Sequence, residues 1–577
     1  MITFLDLSQY FERLERTTKR LEMFTILAEL FAAAEPAEIA PLIYLIQGEL
    51  LPSFRGIQIG MSEKLLIRAI ALGAEREPAE VAATFKRTGD LGKTAEALHG
   101  GRGQRLSVKA VYDELIRTAG ISGEGSVEEK VGALADVLRR VSPQEARYVA
   151  RVVMGKLRLG AGDATILEAL SVAVLKDRSG KPMLERAYNL CSDLGVVGER
   201  LLTGGLEGVE TIHARLGFPI RPALCERLPT TGEIVDKIGR CSVELKYDGL
   251  RLQIHRDGDA IEMFSRNLER MTPMFPEIGE AVRRAVQSRS AILEGEALAV
   301  DEASGELQPF QVTVQRKRKH DIAAMAKEIP LRFFTFDLLY LDGEDYTQKP
   351  YAERRGTLKA LLKPDPVIEL SRAIETEDPA ELQRFFDEAV ANGQEGIVAK
   401  RLDGPYTAGA RNFNWIKLKR SYKGELTDTV DVVIVGYAAG RGQRAKFGVG
   451  TVLAAVYDEG SDTFKTITKI GSGFSEEELR ELKTKLDEIS LDHKPARVDS
   501  LIEPDVWVEP RYVLTVMADE ITRSPMHTCG KEGEEPGYAM RFPRTVGFIR
   551  PDKRAEDATT VAEVIELFEQ QKRVKVE

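Results

Sequence analysis

The stretch VELKYDGLRLQIH, residues 243–255, is where the reading of this chain begins. Leu250, Leu252 and Ile254 alternate with Arg251, Gln253 and His255, a period of two that predicts a strand, and Asp257-Gly258 supplies a hairpin turn before the next one. Lys246 stands just ahead of that strand in the pattern K-x-D-G. The pattern alone is weak, because residue frequencies of about 5–7% each give roughly 0.1 chance occurrences in a chain of this size. Its ordinary reading is a surface lysine before a turn. What sharpens it is the series that follows in order: SRN at 265–267, LEGEALAVD at 293–301, FTFDLLYLDG at 334–343, EGIVAK at 395–400, NWIKLK at 414–419 and RFPR at 541–544.

The chain around these strings has 577 residues, which at roughly 150 per domain predicts two to four domains and excludes one small module. With 43% hydrophobic and 30% charged residues, neither wholesale disorder nor a fibrous repeat fits. Against 91 acidic residues stand 81 basic ones, a net charge of -10 that argues against a uniformly basic coat and leaves room for local basic patches. Cys191, Cys225, Cys241 and Cys529 form no CxxC pair, so a zinc ribbon or disulfide framework is not indicated. MITFLDLSQYFERLERTTKR does not read as a signal peptide, and no stretch approaches the roughly 18 apolar residues of a membrane span. A cytoplasmic protein is expected, nucleoid-associated if the source is a prokaryote.

Residues 1–215 carry apolar positions at spacings of three and four and predict an all-helical domain. Ser142 and Glu145 have capping-box spacing, Pro143 sits at the favoured first helical position, and Ala146, Val149, Val153 and Leu157 predict one apolar stripe before Gly160. Residues 216–420 mix strands with a helix at about 379–392, an α+β pattern. Residues 421–577 read as short strands, VDVVIVGYAAG, GTVLAAVYD, FKTITKIG and VWVEPRYVLTVMAD, with a helix at about 475–486. That order suits a β-barrel of the five-stranded oligonucleotide-binding (OB-fold) type, closed by a charged helical tail.

The ordered strings resemble the covalent nucleotidyltransferases, and more closely the ATP-dependent DNA ligases of the archaeal and eukaryotic replicative type. GDLGKTAE (89–96), GKLRLG (155–160), KIGSGFSEEEL (469–479) and FIRPDKRAEDATT (548–560) extend the resemblance over nearly the whole chain. It implies a multidomain protein: an α-helical DNA-binding domain, an α+β adenylyltransferase domain of ATP-grasp-like kind, and an OB-fold barrel, together encircling duplex DNA. It implies that Lys246 takes AMP from ATP with release of pyrophosphate. AMP then passes to the 5′-phosphate of a nick and is displaced by the 3′-hydroxyl, in replication, repair and recombination. Mg²⁺ is the implied ion, nicked duplex DNA the partner, and a monomer the expected state. A sliding clamp is a further partner by family, although QYFERLE at 9–15 lacks the spacing of a clamp-binding box.

The residue types suit these tasks. Only a neutral amine attacks phosphorus, yet a lysine near the reference pKa is neutral in roughly one molecule in 2,500 at pH 7, a deficit of about 4.6 kcal/mol that nearby cations and burial must offset. By resemblance Glu244 accepts from the adenine amino group and Phe336 stacks on the base. Arg251, Arg266 and Arg411 hold phosphate or ribose oxygens with their guanidinium forks. Glu296 and Glu395 are expected to bind ribose or Mg²⁺, directly or through water, and Asp248 and Asp337 are weaker members of the site or structural. Lys417 and Lys419 alternate with Ile416 and Leu418 and so point to one sheet face, toward the α-phosphate, with Lys400 an addition. Arg541 and Arg544, with RPDK at 550–553, are expected to orient pyrophosphate when the barrel closes, with a hinge near 422–429 around Gly424.

Duplex contacts are expected at GDLGKT (89–94), GKLRLGAG (155–162), QRKRKH (315–320) and GRGQRAK (440–446), where glycines let amides and cations approach phosphates together. GDLGKT fails as a Walker A loop because Arg87 stands where its first glycine is required. An RNA capping enzyme or RNA ligase shares the lysine motif, but the helical N-terminal region favours a DNA ligase. A NAD-dependent ligase would carry a four-cysteine motif after the barrel, where Cys529 stands alone. A non-catalytic scaffold is opposed by the full set of motif residues, and a metal hydrolase by six scattered histidines.

Overall fold

The computed structural model describes residues 1–577 except 18, 158, 302–305, 309, 318–320, 393, 420–428, 441–446 and 575–577, and the side chains of 311 and 572–574. Backbone proximity divides the chain into two units, one of residues 1–188, 193–212 and 494–497, the other of 189–192, 213–493 and 498–577.

The first unit is built of helices, from Phe4–Glu15 through Leu194–Glu210. Local chemistry sets their ends. Thr3 and Asp6 close one capping box and Ser142 and Glu145 another, so the expected helix runs Pro143–Val153. It stops short of Leu157, because Gly155 turns left-handed at φ 61°, and Leu157 packs into the core from the following segment instead. Between helices, Arg151 is shared by Asp90 and Glu15, and Arg147 donates to Glu15 at 2.6 Å. These partly buried charges are all paired, as burial of ions requires.

In the second unit two antiparallel-dominated sheets carry the chemistry. One has the strand order Leu224–Arg227, Arg411–Lys419, Gly396–Arg401, Cys241–Lys246, Ala373–Thr376. The other runs Ala260–Ser265, Leu250–Asp257, Ser290–Ala299, Leu331–Leu341, Glu344–Asp345, with Ile368–Leu370 added on Leu331–Leu341. The chain crosses from the first to the second through Tyr247-Asp248-Gly249. A Cβ on Gly249 would lie 2.4 Å from the Ala297 carbonyl oxygen, so only glycine lets this crossing hug the neighbouring strand.

The hairpin forms as expected, with Asp257 opposite Ala260. Its polar face is not solvated, however. Gln253 and His255 are buried, Gln253 bridging both the N–H and the carbonyl of Ile220, and burial holds the His255 pKa down at about 3. Alternation there marks two packed faces rather than an inside and an outside. The expected helix at 379–392 is Pro379–Ala391, capped by Asp378.

The C-terminal part is β-rich with curled sheets. A path of strands runs Ser490–Leu491, Val506–Val508, Val430–Ala438, Thr451–Asp458, Thr463–Ile470, Val498–Asp499, while Val513–Met517 links Val430–Ala438 to Arg544–Ile549. These described strands outnumber the expected five. VWVEPRYVLTVMAD is two of them, since the segment around Pro510 leaves the ladder. The helix Glu476–Glu488 starts at a Ser475–Glu478 capping box, and the charged tail folds as Val561–Val574. Among the described residues no helix is long and apolar enough to cross a membrane.

Asp337, expected as a weak member of the site, is fully buried in a two-pronged pair with Arg354, at 2.7 and 3.1 Å. Arg354→Met is expected to cost about 3–5 kcal/mol by stranding a buried carboxylate, and the double change with Asp337→Leu to recover most of it; denaturant unfolding of the three variants is the measurement.

Candidate functional site

The register of the first sheet aligns the key residues in rows. Lys246, Gly396 and Lys419 lie abreast across three strands, as do Glu244, Val398 and Lys417, and then Ser242, Lys400 and Trp415. Gly396 has no side chain to separate its neighbours, and a Cβ there would sit 2.1 Å from the Leu418 carbonyl oxygen. Both lysine head groups therefore converge on the adjacent Glu395. Its Oε2 pairs with Lys246 Nζ and its Oε1 with Lys419 Nζ at 2.6 Å. Ile416 and Leu418 are buried between Lys417 and Lys419, so both lysines face the cavity of about 270 Å³ that also takes in Glu244, Phe336 and Glu296.

Glu244 is buried at the inner end. Its carboxylate accepts hydrogen bonds from the Tyr351 hydroxyl, from Ser371 at 2.8 Å and from Arg355 at 3.2 Å, and pairs with Lys400 Nζ at 3.0 Å. Lys400 is 2% exposed and lies 4.5 Å from the Phe336 ring and 4.2 Å from Trp415, a cation held by one carboxylate and aromatic faces. Burial lowers its pKa from the ordinary lysine value. Arg251 lies 5.5 Å from both the Phe336 and Trp415 rings and is gripped by Glu294.

The acidic residues divide into two kinds. The two ammonium groups hold Glu395 well below the usual carboxylate range, despite its burial. Burial instead pushes Glu296 up to about 7 and raises Asp248, each further raised by a neighbouring carboxylate. Glu296 takes no ion pair from the described residues, so the two expected metal ligands are differently placed: Glu395 is occupied by lysines, and Glu296 shares its surroundings with Asp248. Among the described residues no cluster of three or more metal-ligating side chains is found.

From the C-terminal part, Arg550, Asp552, Lys553, Asp557 and Glu563 reach this cavity, whereas Arg541 and Arg544 do not line it. Arg544 pairs with Asp519 at 3.1 Å on the surface of the C-terminal part, and Arg541 and Phe542 are exposed beside it. Arg550 is held by Asp552 at 2.7 Å, Lys553 by Asp431, and Arg266 by Asp557 at 3.4 Å. Glu563 is the residue the sequence reading missed. Its Oε1 takes Arg411 at 2.6 Å and Lys417 at 2.9 Å, while Oε2 caps its own helix at Thr560. The signal was present as T-x-x-E spacing at 560–563, but nothing in sequence says where that helix docks.

The expected DNA-contact runs fare unevenly. In GDLGKT the Gly92 and Lys93 amides already donate to Asp90, so the backbone there is capped internally. In GKLRLGAG, Leu157 and Leu159 are buried and Lys156 pairs with Glu63 at 3.0 Å, while residue 158 lies outside the described residues. In QRKRKH, Arg316 is buried against Glu277 and the carbonyls of Met274 and Ile329; residues 318–320 are not described. The hinge at 422–428 and residues 441–446 of GRGQRAK are likewise outside the described residues. Phe11 of QYFERLE is fully buried within its helix.

Three family profiles match in sequence order: DNA ligase N terminus over residues 3–171, ATP dependent DNA ligase domain over 222–419 and ATP dependent DNA ligase C terminal region over 445–553. The chain is 51% identical over 574 residues to a probable DNA ligase of Dictyoglomus thermophilum, covering 100% of this chain and 99% of that one. It is 50% identical to its counterpart in Dictyoglomus turgidum over the same shares. With a DNA ligase of Hyperthermus butylicus it shares 43% identity over 601 residues, covering 100% and 98%.

Glu563 gives a pH-dependent expectation. Lys417 and Arg411 hold its pKa well below the ordinary 4.5 despite burial, so its stabilisation is complete above that value and is lost as pH falls below it. Glu563→Gln is expected to destabilise the protein at pH 7 by about 1–3 kcal/mol; the gap between its melting temperature and that of the unsubstituted protein should narrow steadily below about pH 4.5.

Proposed function

As the chain belongs to the ATP-dependent DNA ligase family, we infer that it seals nicks in duplex DNA through an adenylylated Lys246. The observation that carries this assignment of residues is the convergence of Lys246 and Lys419 on Glu395 at the mouth of a pocket whose inner end holds Glu244, Lys400 and Phe336. We read residues 1–215 as the DNA-binding domain, 216–420 as an ATP-grasp-like adenylyltransferase domain and 421–577 as an OB-fold domain.

In the first step Lys246 Nζ forms a bond to the α-phosphorus of ATP as the bond to pyrophosphate breaks. Lys417 and Lys419 stabilise the charge that moves across the phosphorus. The base enters beside Phe336, its amino group donating to Glu244 and its ring nitrogen accepting from Lys400. Guanine presents an acceptor where Glu244 needs a donor and a donor where Lys400 needs an acceptor, so adenine is preferred. Arg251 and Arg266 take ribose or phosphate oxygens, and of the cations expected toward the pyrophosphate Arg550 and Lys553 are the ones that line the cavity. Arg411 and Lys417 reach the nucleotide once Glu563 releases them.

The residues present fit Mg²⁺, because Glu296 and Asp248 are hard oxygen donors that both line the cavity, where burial raises the pKa of each. Glu296 and Asp248 would hold it, with Glu395 joining only on release from its lysines, and it would supply positive charge beside the phosphates and favour the neutral amine of Lys246. AMP then passes to the 5′-phosphate of the nick, and the 3′-hydroxyl displaces it.

For the duplex, the surface turn Arg541-Phe542-Pro543-Arg544 has the right composition. Phe542 is 71% exposed at a left-handed φ of 51°, flanked by two arginines, the combination of cation and apolar wedge that engages a minor groove. Nicked-duplex binding is expected to fall steeply between low and moderate salt, and Phe542→Ala to weaken it with lysine adenylation intact, as filter binding at several salt concentrations would report.

The decisive experiment is intact mass after incubation with ATP and Mg²⁺ without DNA, on protein first stripped of AMP by pyrophosphate. A gain of about 329 Da, absent from Lys246→Ala, is expected for one covalent AMP; no gain removes Lys246 as the nucleophile.

A further inference from the structure

The SRN string at 265–267 has so far supplied only Arg266. It forms a tight turn at the end of the strand Ala260–Ser265: the Leu268 N–H donates to the Ser265 carbonyl at 2.8 Å, the Ser265 N–H to the Glu269 carbonyl at 2.9 Å, and the Glu269 N–H to the Ser265 hydroxyl at 3.2 Å. Leu268 closes the turn at a left-handed φ of 62°, a conformation costly for a branched side chain, and is held there by burial. What the strained turn achieves is to present Arg266 and Asn267 together to the segment 550–557. Arg266 pairs with Asp557 at 3.4 Å, and Asn267 Nδ2 donates to the Pro551 carbonyl at 3.0 Å.

The amide of Asn267 is fixed in one sense. Its Oδ1 is buried and has no hydrogen bond among the described residues, and the reverse orientation would set that oxygen against the Pro551 carbonyl. Pro551 has no N–H, so its carbonyl is the one main-chain polar group by which it can be gripped. Lys317 Nζ, itself paired with Glu269, reaches the same oxygen at 3.5 Å. On either side of Pro551 stand Arg550, held by Asp552 and lying 4.6 Å from the Phe310 ring, and Asp552 itself, followed by Lys553. All four residues 550–553 line the cavity, whereas Asn267 does not.

We propose that Asn267 is a positioning residue for the first step alone: by holding the Pro551 carbonyl it seats Arg550 and Lys553 over the departing pyrophosphate. This rests on the reading of Lys246 and its cavity as the adenylation site, with those two cations facing the leaving group. Pyrophosphate leaves only in that step. When the 3′-hydroxyl attacks the adenylated nick, the bond that breaks releases AMP, and no pyrophosphate is present to be steered. A grip on Pro551 therefore assists formation of adenylyl-lysine and is without effect on sealing.

The test compares two rates in Asn267→Ala and in Asn267→Asp, which keeps the size of the side chain and lacks the donor. One is adenylyl-lysine formation from ATP and Mg²⁺. The other is sealing of a nicked duplex that already carries the 5′-adenylate, by protein stripped of AMP with pyrophosphate. Adenylation is expected to fall about tenfold in both variants, as loss of one hydrogen bond at the top of its usual range gives. Sealing of the adenylated nick should stay within about twofold, which also reports that each variant is folded. An equal fall in both rates overturns the inference, since that is what a purely structural asparagine would give. So does unchanged adenylation in either variant, or a fall confined to sealing. Failure of the unsubstituted protein to form adenylyl-lysine takes the adenylation-site reading down as well.

Discussion

One carboxylate between two ammonium groups organises this site. Glu395 meets Lys246 on one oxygen and Lys419 on the other, and the arrangement exists only because Gly396 contributes no side chain where three strands run abreast. Two half-buried lysines in one row would repel each other; the carboxylate between them turns that repulsion into a pair of ion pairs whose combined pull holds Glu395 ionised in spite of its burial. The same carboxylate fixes where the amine of Lys246 sits, beside that of Lys419 on the wall of the cavity.

Burial of charge explains why so many arginines in the second unit are structural. Arg354 is spent on Asp337, Arg355 on Glu244, and Arg316 on Glu277 and two carbonyls. Arg354 and Arg316 make these bonds fully buried and Arg355 half-buried. Position in a basic run therefore said little about DNA contact: Arg316 sits in QRKRKH and faces inward, and the amides of GDLGKT are consumed by Asp90 before any phosphate could use them.

What sequence could reveal was local. The strand after K-x-D-G, the two-residue turn at Gly258, the capping boxes at Ser142 and Ser475, and the shared face of Lys417 and Lys419 all follow from periods and spacings that act over a few residues. The failures share a cause too. Leu157 is apolar at helical spacing, but one left-handed glycine put it outside the helix. Gln253 and His255 look solvated because they are polar, yet another segment covers them. Arg550 and Lys553 reach the cavity while Arg541 and Arg544 do not line it, a distinction set by how a curled sheet aims its ends and invisible in a string containing all four. Glu563 reaches Arg411 and Lys417, both more than a hundred positions away.

Those distant carboxylates have a common consequence. In the closed arrangement of the second unit the cavity's cations are nearly all matched by the protein's own anions: Lys246 and Lys419 by Glu395, Arg411 and Lys417 by Glu563, Arg550 by Asp552, Lys553 by Asp431, Arg266 by Asp557. A nucleotide triphosphate entering such a site cannot simply add its charge, since each phosphate oxygen must take a cation from a carboxylate already holding it. The partners differ in how easily they yield. Glu395 directly precedes a strand of the sheet that carries its lysines, whereas Glu563 comes from the C-terminal helix and holds two cations at once. Seven cations thus share five carboxylates, and two of the seven are held by the one carboxylate that the C-terminal helix carries. Affinity for an anion and the freedom of the C-terminal helix are in this way two descriptions of a single electrostatic equilibrium.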